Sequence, residues 1–201
     1  MFSGGYKAGA ALAACALAAV LGAAGCSSGG GGLVGGGGSG TSTPSWASAL
    51  GSGVTIVPPG PASAGNGSPD AVMAGVETAI ASGHYADSCK YFQPSAQSQC
   101  SSTLSTVTPA EAASELPTFK SFGIGYTAIK GDQALVGTTG TFCDQQNTPA
   151  CYTNTDPAAI LDSGKSFATL WTQAGSSSGS VYSLAQVVEV NGSWYAYSSS
   201  S

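Results

Sequence analysis

Arginine is absent from the 201 residues, and the net charge is −5 with only 7% of side chains charged. Nucleic-acid binding draws its affinity from clustered Lys and Arg that displace counterions, so that class of function is excluded. A basic patch for an anionic membrane surface is excluded for the same reason. Histidine is nearly absent as well, with His84 alone. No two cysteines have C-x-x-C spacing, which leaves neither a zinc-ligand set nor a dithiol redox motif. Asp144, Asn154, Asp156 and Asp162 fall in one loop without the spacing of a calcium loop, and they read as turn and cap residues. No metal or other cofactor is expected. A long apolar run is missing too. The best stretch, Ala8 to Val20, is too short and too weakly hydrophobic for a transmembrane helix.

That stretch has a different context. Lys7 precedes it, Ala23-Ala24-Gly25 follows it, and then come Cys26 and a Gly/Ser-rich segment. A positive n-region, a short apolar h-region and small residues before a cut site make a signal peptide. With the cysteine at the cut, the pattern resembles a bacterial lipoprotein signal with its lipobox. That family prefers Leu three residues before the cysteine; here the position is Ala23, with Leu21 two residues further out. The resemblance implies that residues 1–25 are removed, taking Cys15 with them, and that Cys26 is lipidated. It implies a protein of the bacterial cell envelope, lipid-anchored on the outer face of the cytoplasmic membrane. Two or more acyl chains hold such an anchor stably.

Residues 26–67 are nearly all Gly, Ser, Thr, Pro and Ala, with scattered Trp46, Leu50 and Val54 to Val57. Such a composition buries too little apolar surface to offset its ordering entropy. It reads as a flexible tether with an r.m.s. span of roughly 35 Å. Val54 to Val57 has strand character, but a sticky stretch of linker is the simpler reading. Residues 68–201 then form one domain of ordinary size.

Four cysteines remain in it, an even number that in an exported domain reads as two disulfides. Of the three pairings, Cys89–Cys100 with Cys143–Cys151 is favoured, because each closes a short local loop worth roughly 2–3 kcal/mol.

Ser68-Pro69-Asp70 opens a helix, Val72, Val76, Ala79 and Ile80 fall on one face, and Gly83 ends it. His84 to Phe92 reads as a second short helix. Ser95 to Leu104 reads as irregular or weakly helical. The capping box Thr108-Pro109-Ala110-Glu111 starts a third helix that ends before Pro117. The period then turns to two. Strands are predicted over Phe122 to Ala128, Ala134 to Cys143, Ser166 to Ala174, Val181 to Val190 and Ser193 to Tyr197. Turns fall at Gly131-Asp132, Gly175 to Ser180 and Asn191-Gly192, and a loop runs from Asp144 to Gly164. Helices followed by an antiparallel meander mean α+β.

The opening "AVMAGVETAIASGHYADSCKYF" and the ending "VYSLAQVVEVNGSWYAYS" resemble the cone-shaped nuclear-transport-factor-like superfamily. This includes ketosteroid isomerases and many small actinobacterial lipoproteins. The resemblance implies N-terminal helices packed on a curved antiparallel sheet, and it allows a homodimer through that sheet.

Apparent motifs dissolve in context. Gly175-Ser176-Ser177-Ser178-Gly179 spells G-x-S-x-G, but it reads as a turn between strands and no His follows it. Gly164-Lys165-Ser166 mimics a P-loop end, but Ala159 stands where the first glycine belongs and a strand is expected next. Asn66-Gly67-Ser68 and Asn191-Gly192-Ser193 spell glycosylation sites that a bacterial exported protein makes moot; both mark turns.

His84, Asp87 and Tyr126 are weak candidates for a catalytic pocket. The bland readings are a residue at a helix end, a helix surface acid and a core tyrosine. Trp171, Trp194, Tyr182, Tyr195, Phe122, Phe142 and Phe167 are assigned to strands, where they fill a core or line a cavity for an apolar ligand. The sequence therefore leads to a non-catalytic envelope domain that binds an apolar small molecule or an envelope protein. The alternatives are an isomerase- or hydratase-type enzyme working inside the cone, and a purely structural surface protein.

Overall fold

A computed structural model describes residues 43–108, 110–111, 118–144, 150–175 and 184–198. It is α+β, with an open antiparallel sheet of six strands. These are β1 (Thr55–Val57), β2 (Thr118–Lys130), β3 (Gln133–Asp144), β4 (Ala150–Asn154), β5 (Leu184–Val190) and β6 (Ser193–Ala196). The order is β1-β2-β3-β5-β6, and β4 also pairs with β3. Among the described residues, three α-helices can be followed from end to end: α1 (Pro69–Ala81), α2 (Pro94–Leu104) and α3 (Phe167–Ala174). Short 3-10 helices span Ser45–Leu50, Tyr85–Tyr91 and Ala159–Asp162.

The caps of α1 are those its sequence calls for. Ser68 Oγ accepts from Ala71 N, and Pro69 and Asp70 occupy the first turn. At the other end Gly83 takes φ +74°, Gly83 N donates to Ile80 O, and His84 N donates to Ala79 O. That pair of bonds is the Schellman closure, which an L side chain at position 83 would strain. Val72, Met73, Val76, Ala79 and Ile80 are buried. Gly75 is required by contact, because the Tyr91 ring lies where its Cβ would stand. The segment after α1 winds as a 3-10 helix, Tyr85–Tyr91, where a second helix is predicted.

The sheet is covered on both faces, and the alternation along its central strands shows how. Ala134 and Val136 of β3, with Ala185 and Val187 of β5, face a core built with α1, α2 and Tyr91. Leu135 and Leu184 belong to a second core with Leu50, Leu161, Phe167 and Leu170. A period of two puts neighbours in one strand into different cores. Hairpin β5–β6 turns at Asn191 (φ 53°) and Gly192 (φ +79°), two positive φ values in a row as a type I′ turn needs. The free edge of β6 is closed by Asn66, whose O accepts from Trp194 N and whose Nδ2 donates to Trp194 O.

Five expectations are corrected. Ser166 to Ala174 is a helix: Ser166 Oγ accepts from Thr169 N, and Phe167, Leu170 and Ala174 are buried at helical spacing. Phe167 and Trp171 therefore lie on α3 and not in a strand. Val54 to Val57 is no linker, since Thr55, Ile56 and Val57 pair with Ile129, Ala128 and Thr127. The tether expected over 26–67 thus ends earlier, because Ala47 and Leu50 are also buried; residues 26–42 lie outside the described residues. Ser95 to Leu104 lies in a regular helix, held by buried Cys100 and Leu104. The predicted loop over 144–164 contains β4, in register with β3 from Gly140↔Asn154 to Asp144↔Ala150.

The third predicted helix is visible only at its start. Thr108 N donates to Glu111 Oε2 at 2.9 Å and Glu111 N to Thr108 Oγ1 at 3.3 Å, the reciprocal capping box. Residues 112–117 lie outside the described residues, as do Tyr182, the first three residues of the predicted fourth strand, and Ser176 to Gly179.

Candidate functional site

The two half-buried acids of α1, Asp70 and Glu77, are seven residues apart. Seven residues is close to two helical turns, so both lie along one stripe of α1. Asp70 reaches the sheet: Thr127 Oγ1, fully buried on β2, donates to Asp70 Oδ1. Burial raises the Asp70 pKa above its ordinary value, and the Thr127 hydrogen bond partly offsets that. Glu77 has no hydrogen-bond or ion-pair partner among the described residues. Burial alone pushes its carboxyl up to about 7. A carboxyl half-protonated at neutral pH can either give or take a proton.

Glu77 was not among the residues singled out from sequence. A signal for it existed: it is the only charged residue in the stretch Ala71 to Ala81, "AVMAGVETAIA". An acid set among the apolar residues of a helix that packs on a sheet is a candidate for desolvation. Asp70 sits in the first turn of α1, where an acid matches the helix dipole. Its bond to Thr127 spans 57 residues of sequence and belongs to the tertiary structure.

The candidates His84, Asp87 and Tyr126 are not brought together. His84 and Asp87 are exposed beside the end of α1, where Asp87 N donates to His84 O. Tyr126 packs in the second core, edge-on to Trp46 with ring centroids 5.3 Å apart. Of the aromatic residues, Trp171 stacks on Phe167 at 6.0 Å and meets Tyr197 at 5.7 Å. Phe122 meets Phe119 edge-on. Trp194 borders the first core, and Tyr195 pairs with Val188. Phe142 lies in β3 opposite Phe119 and Tyr152.

Gly164-Lys165-Ser166 is followed by α3, where a strand was expected. It is still not a phosphate loop. A 3-10 helix rather than a strand leads into it, Lys165 Nζ donates to Gln173 Oε1, and Ser166 Oγ is occupied capping α3. Of the four loop polar residues, Asn154 and Asp156 hold the local chain by hydrogen bonds. Asn154 Nδ2 donates to Thr138 O, and Asp156 Oδ1 accepts from Ala158 N. Asp162 titrates above its ordinary value through burial and the nearby Asp156 carboxylate. Among the described residues no cluster of His, Cys, Asp and Glu is arranged to hold a metal ion, and no helix is long and apolar enough to cross a membrane.

Both disulfides are present, Cys89–Cys100 and Cys143–Cys151. The first ties the 3-10 helix Tyr85–Tyr91 to α2 inside the first core; the second crosses between directly paired residues of β3 and β4. Compared with known proteins, the chain matches no family model, no curated protein sequence and no solved structure.

Proposed function

We propose that the chain is a lipid-anchored lipoprotein of the bacterial cell envelope. Its α+β domain, of the cone-shaped nuclear-transport-factor-like kind, binds an apolar ligand or an envelope partner without catalysing a reaction. The observation that carries this reading is Cys26 in its setting: Lys7, the Ala/Leu-rich run, Ala23-Ala24-Gly25, then a Gly/Ser-rich segment. Two disulfides agree with an oxidising compartment. His84 and Asp87 are exposed beside the end of α1 while Tyr126 packs against the second core, an arrangement that agrees with a non-catalytic domain. Membrane and ligand are the partners; a homodimer is compatible with the reading.

One experiment tests both halves. The full chain is expressed in a bacterium with lipoprotein processing, extracted in mild detergent and weighed by native and denaturing mass spectrometry. A denatured mass lacking residues 1–25 and carrying a diacylglyceryl group with an added acyl chain supports the anchor. Extra mass seen only under native conditions supports the ligand. An unprocessed or unlipidated Cys26 overturns the anchor, and a bare native mass turns the search to protein partners.

Glu77 favours the second reading, an isomerase- or hydratase-type enzyme, because its carboxyl can exchange a proton near neutral pH. That reading requires turnover of a substrate, lost in Glu77→Gln while the fold is kept.

A further inference from the structure

The two disulfides differ in how an outside molecule reaches them. Cys89 and Cys100 are 1% and 6% exposed and lie among Val72, Val76 and Tyr91 in the first core. A thiol reaches them only if α2 first lifts away. In the other bridge Cys143 is 1% exposed, whereas Cys151, on the partner strand, is exposed to solvent. The strands differ as well. β3 is paired along one side with β2 and along the other with β5 and β4. β4 lies off the main strand path, and among the described residues its ladder is with β3 alone.

We propose that Cys143–Cys151 is a thiol-exchange site, entered at Cys151, whose opening loosens β4 and leaves the rest of the domain folded. An external dithiol whose two thiols are spaced to close an unstrained cyclic disulfide, as in a 1,4-dithiol, supplies the electrons. Its thiolate attacks Cys151 Sγ. The Cys143–Cys151 bond breaks, a mixed disulfide forms at Cys151, and Cys143 leaves as a thiolate that takes a proton from solvent. The second thiol of the reagent then attacks its own sulfur in the mixed disulfide, closing a cyclic disulfide and releasing Cys151 as a thiol. The protein bridge gains two electrons and two protons, and the dithiol loses both. Attack from the Cys143 side is blocked by burial, so entry is one-sided.

The geometry also explains why a dithiol is needed. Cys143 and Cys151 are register partners with Cα atoms 4.0 Å apart. While the ladder lasts, the Cys143 thiol stays opposite the mixed disulfide and displaces a monothiol by intramolecular attack. A dithiol completes reduction before that return.

The test uses the full chain, oxidised, in detergent. It is exposed to graded dithiothreitol or to 2-mercaptoethanol, alkylated without denaturant, and mapped by peptide mass. Hydrogen exchange is followed on the same samples. The expected result is that Cys143 and Cys151 are alkylated about tenfold or more faster than Cys89 and Cys100. Dithiothreitol is to outperform the monothiol at equal thiol concentration. Exchange protection falls over Ala150–Asn154 while β5, β6 and α1 keep theirs. The double variant Cys143→Ser/Cys151→Ser is expected to show the same local loss and to retain Cys89–Cys100. Equal labelling of both bridges, earlier labelling of Cys89–Cys100, no dithiol advantage, or global loss of protection in either protein overturns the proposal.

Discussion

Replacing Glu77 with Gln tests whether an acid has been desolvated on α1. Burial raises the Glu77 carboxyl from 4.5 to about 7. Between those values the folded protein holds a proton that the unfolded chain has released. Stability changes with pH as the difference in bound protons, unfolded minus folded, and that difference is negative here. Glu77 therefore lowers stability as pH rises from about 4.5, and the whole penalty is in place above about 7. At about 1.4 kcal/mol per pH unit the gap corresponds to about 3–4 kcal/mol. Half of the side chain reaches solvent, where screening cuts such figures, so about 1–2 kcal/mol is the working magnitude. Gln keeps the shape and cannot ionise. Glu77→Gln is expected to be more stable than the parent by about 1–2 kcal/mol at pH 8 and within about 0.5 kcal/mol of it at pH 4. Asp70 is raised by burial too, with the same sign. It is present in both proteins and drops out of the difference. Urea unfolding of the oxidised proteins from pH 4 to 8, followed by tryptophan fluorescence and far-UV circular dichroism, gives the curve. A difference that stays flat with pH, or a variant less stable at pH 8, refutes the desolvation argument.

Two further substitutions check other joints. Leu50→Ala is expected to cost about 2–5 kcal/mol in urea unfolding, because Leu50 is fully enclosed in the second core; a cost near zero means that the segment before β1 is not part of the fold. Thr127→Val removes the hydroxyl that donates to Asp70 and is expected to cost about 1–3 kcal/mol at pH 7. The cost shrinks in acid, where the Asp70 carboxylate is protonated and needs the donor less, and equal costs at pH 3 and pH 7 contradict the assignment.

The parts of this fold that were readable from sequence are those whose cause is local. Ser68, Pro69 and Gly83 bound α1 through their own dihedrals and hydrogen bonds. Asn191-Gly192 makes its turn for the same kind of reason. The misread parts depend on distant partners. Phe167, Leu170 and Ala174 fit a helical face, but the Thr and aromatic content of the segment also suits a strand. The Leu50 and Leu161 surface that the face packs on is not visible locally. Strand β1 is three residues long among Gly and Pro, and only its pairing with Thr127, Ala128 and Ile129 makes it a strand. For β4 the cue lies in the cysteine spacing. A bridge between cysteines eight positions apart, with Cys143 already assigned to a strand, puts Cys151 opposite it and so implies a paired strand. Glu77 is legible only as a candidate, the one charge in an apolar helical stretch; how far its carboxyl is desolvated is set by what packs over it.

Where the fold begins bears on what the proposed anchor can do. If the tether ran from Cys26 to residue 67, full extension would carry the domain about 150 Å from the membrane, at about 3.6 Å per residue. Yet Ala47 and Leu50 are buried and β1 is paired into the sheet. Between Cys26 and Thr43, the first described residue, lie residues 27–42, a length of chain that reaches about 60 Å at most. Under the lipoprotein reading, the domain then works close to the membrane surface. A ligand delivered from the bilayer or a partner embedded in it is within reach, and a site deep in a thick wall is not. Inserting a Gly/Ser segment ahead of Thr43 and measuring cross-linking to membrane proteins separates these cases. A membrane-proximal partner loses contact only gradually, since a longer chain still allows the near positions at a modest entropic cost. Shortening the span below the partner's height abolishes contact at once, so the two directions of change are not equivalent.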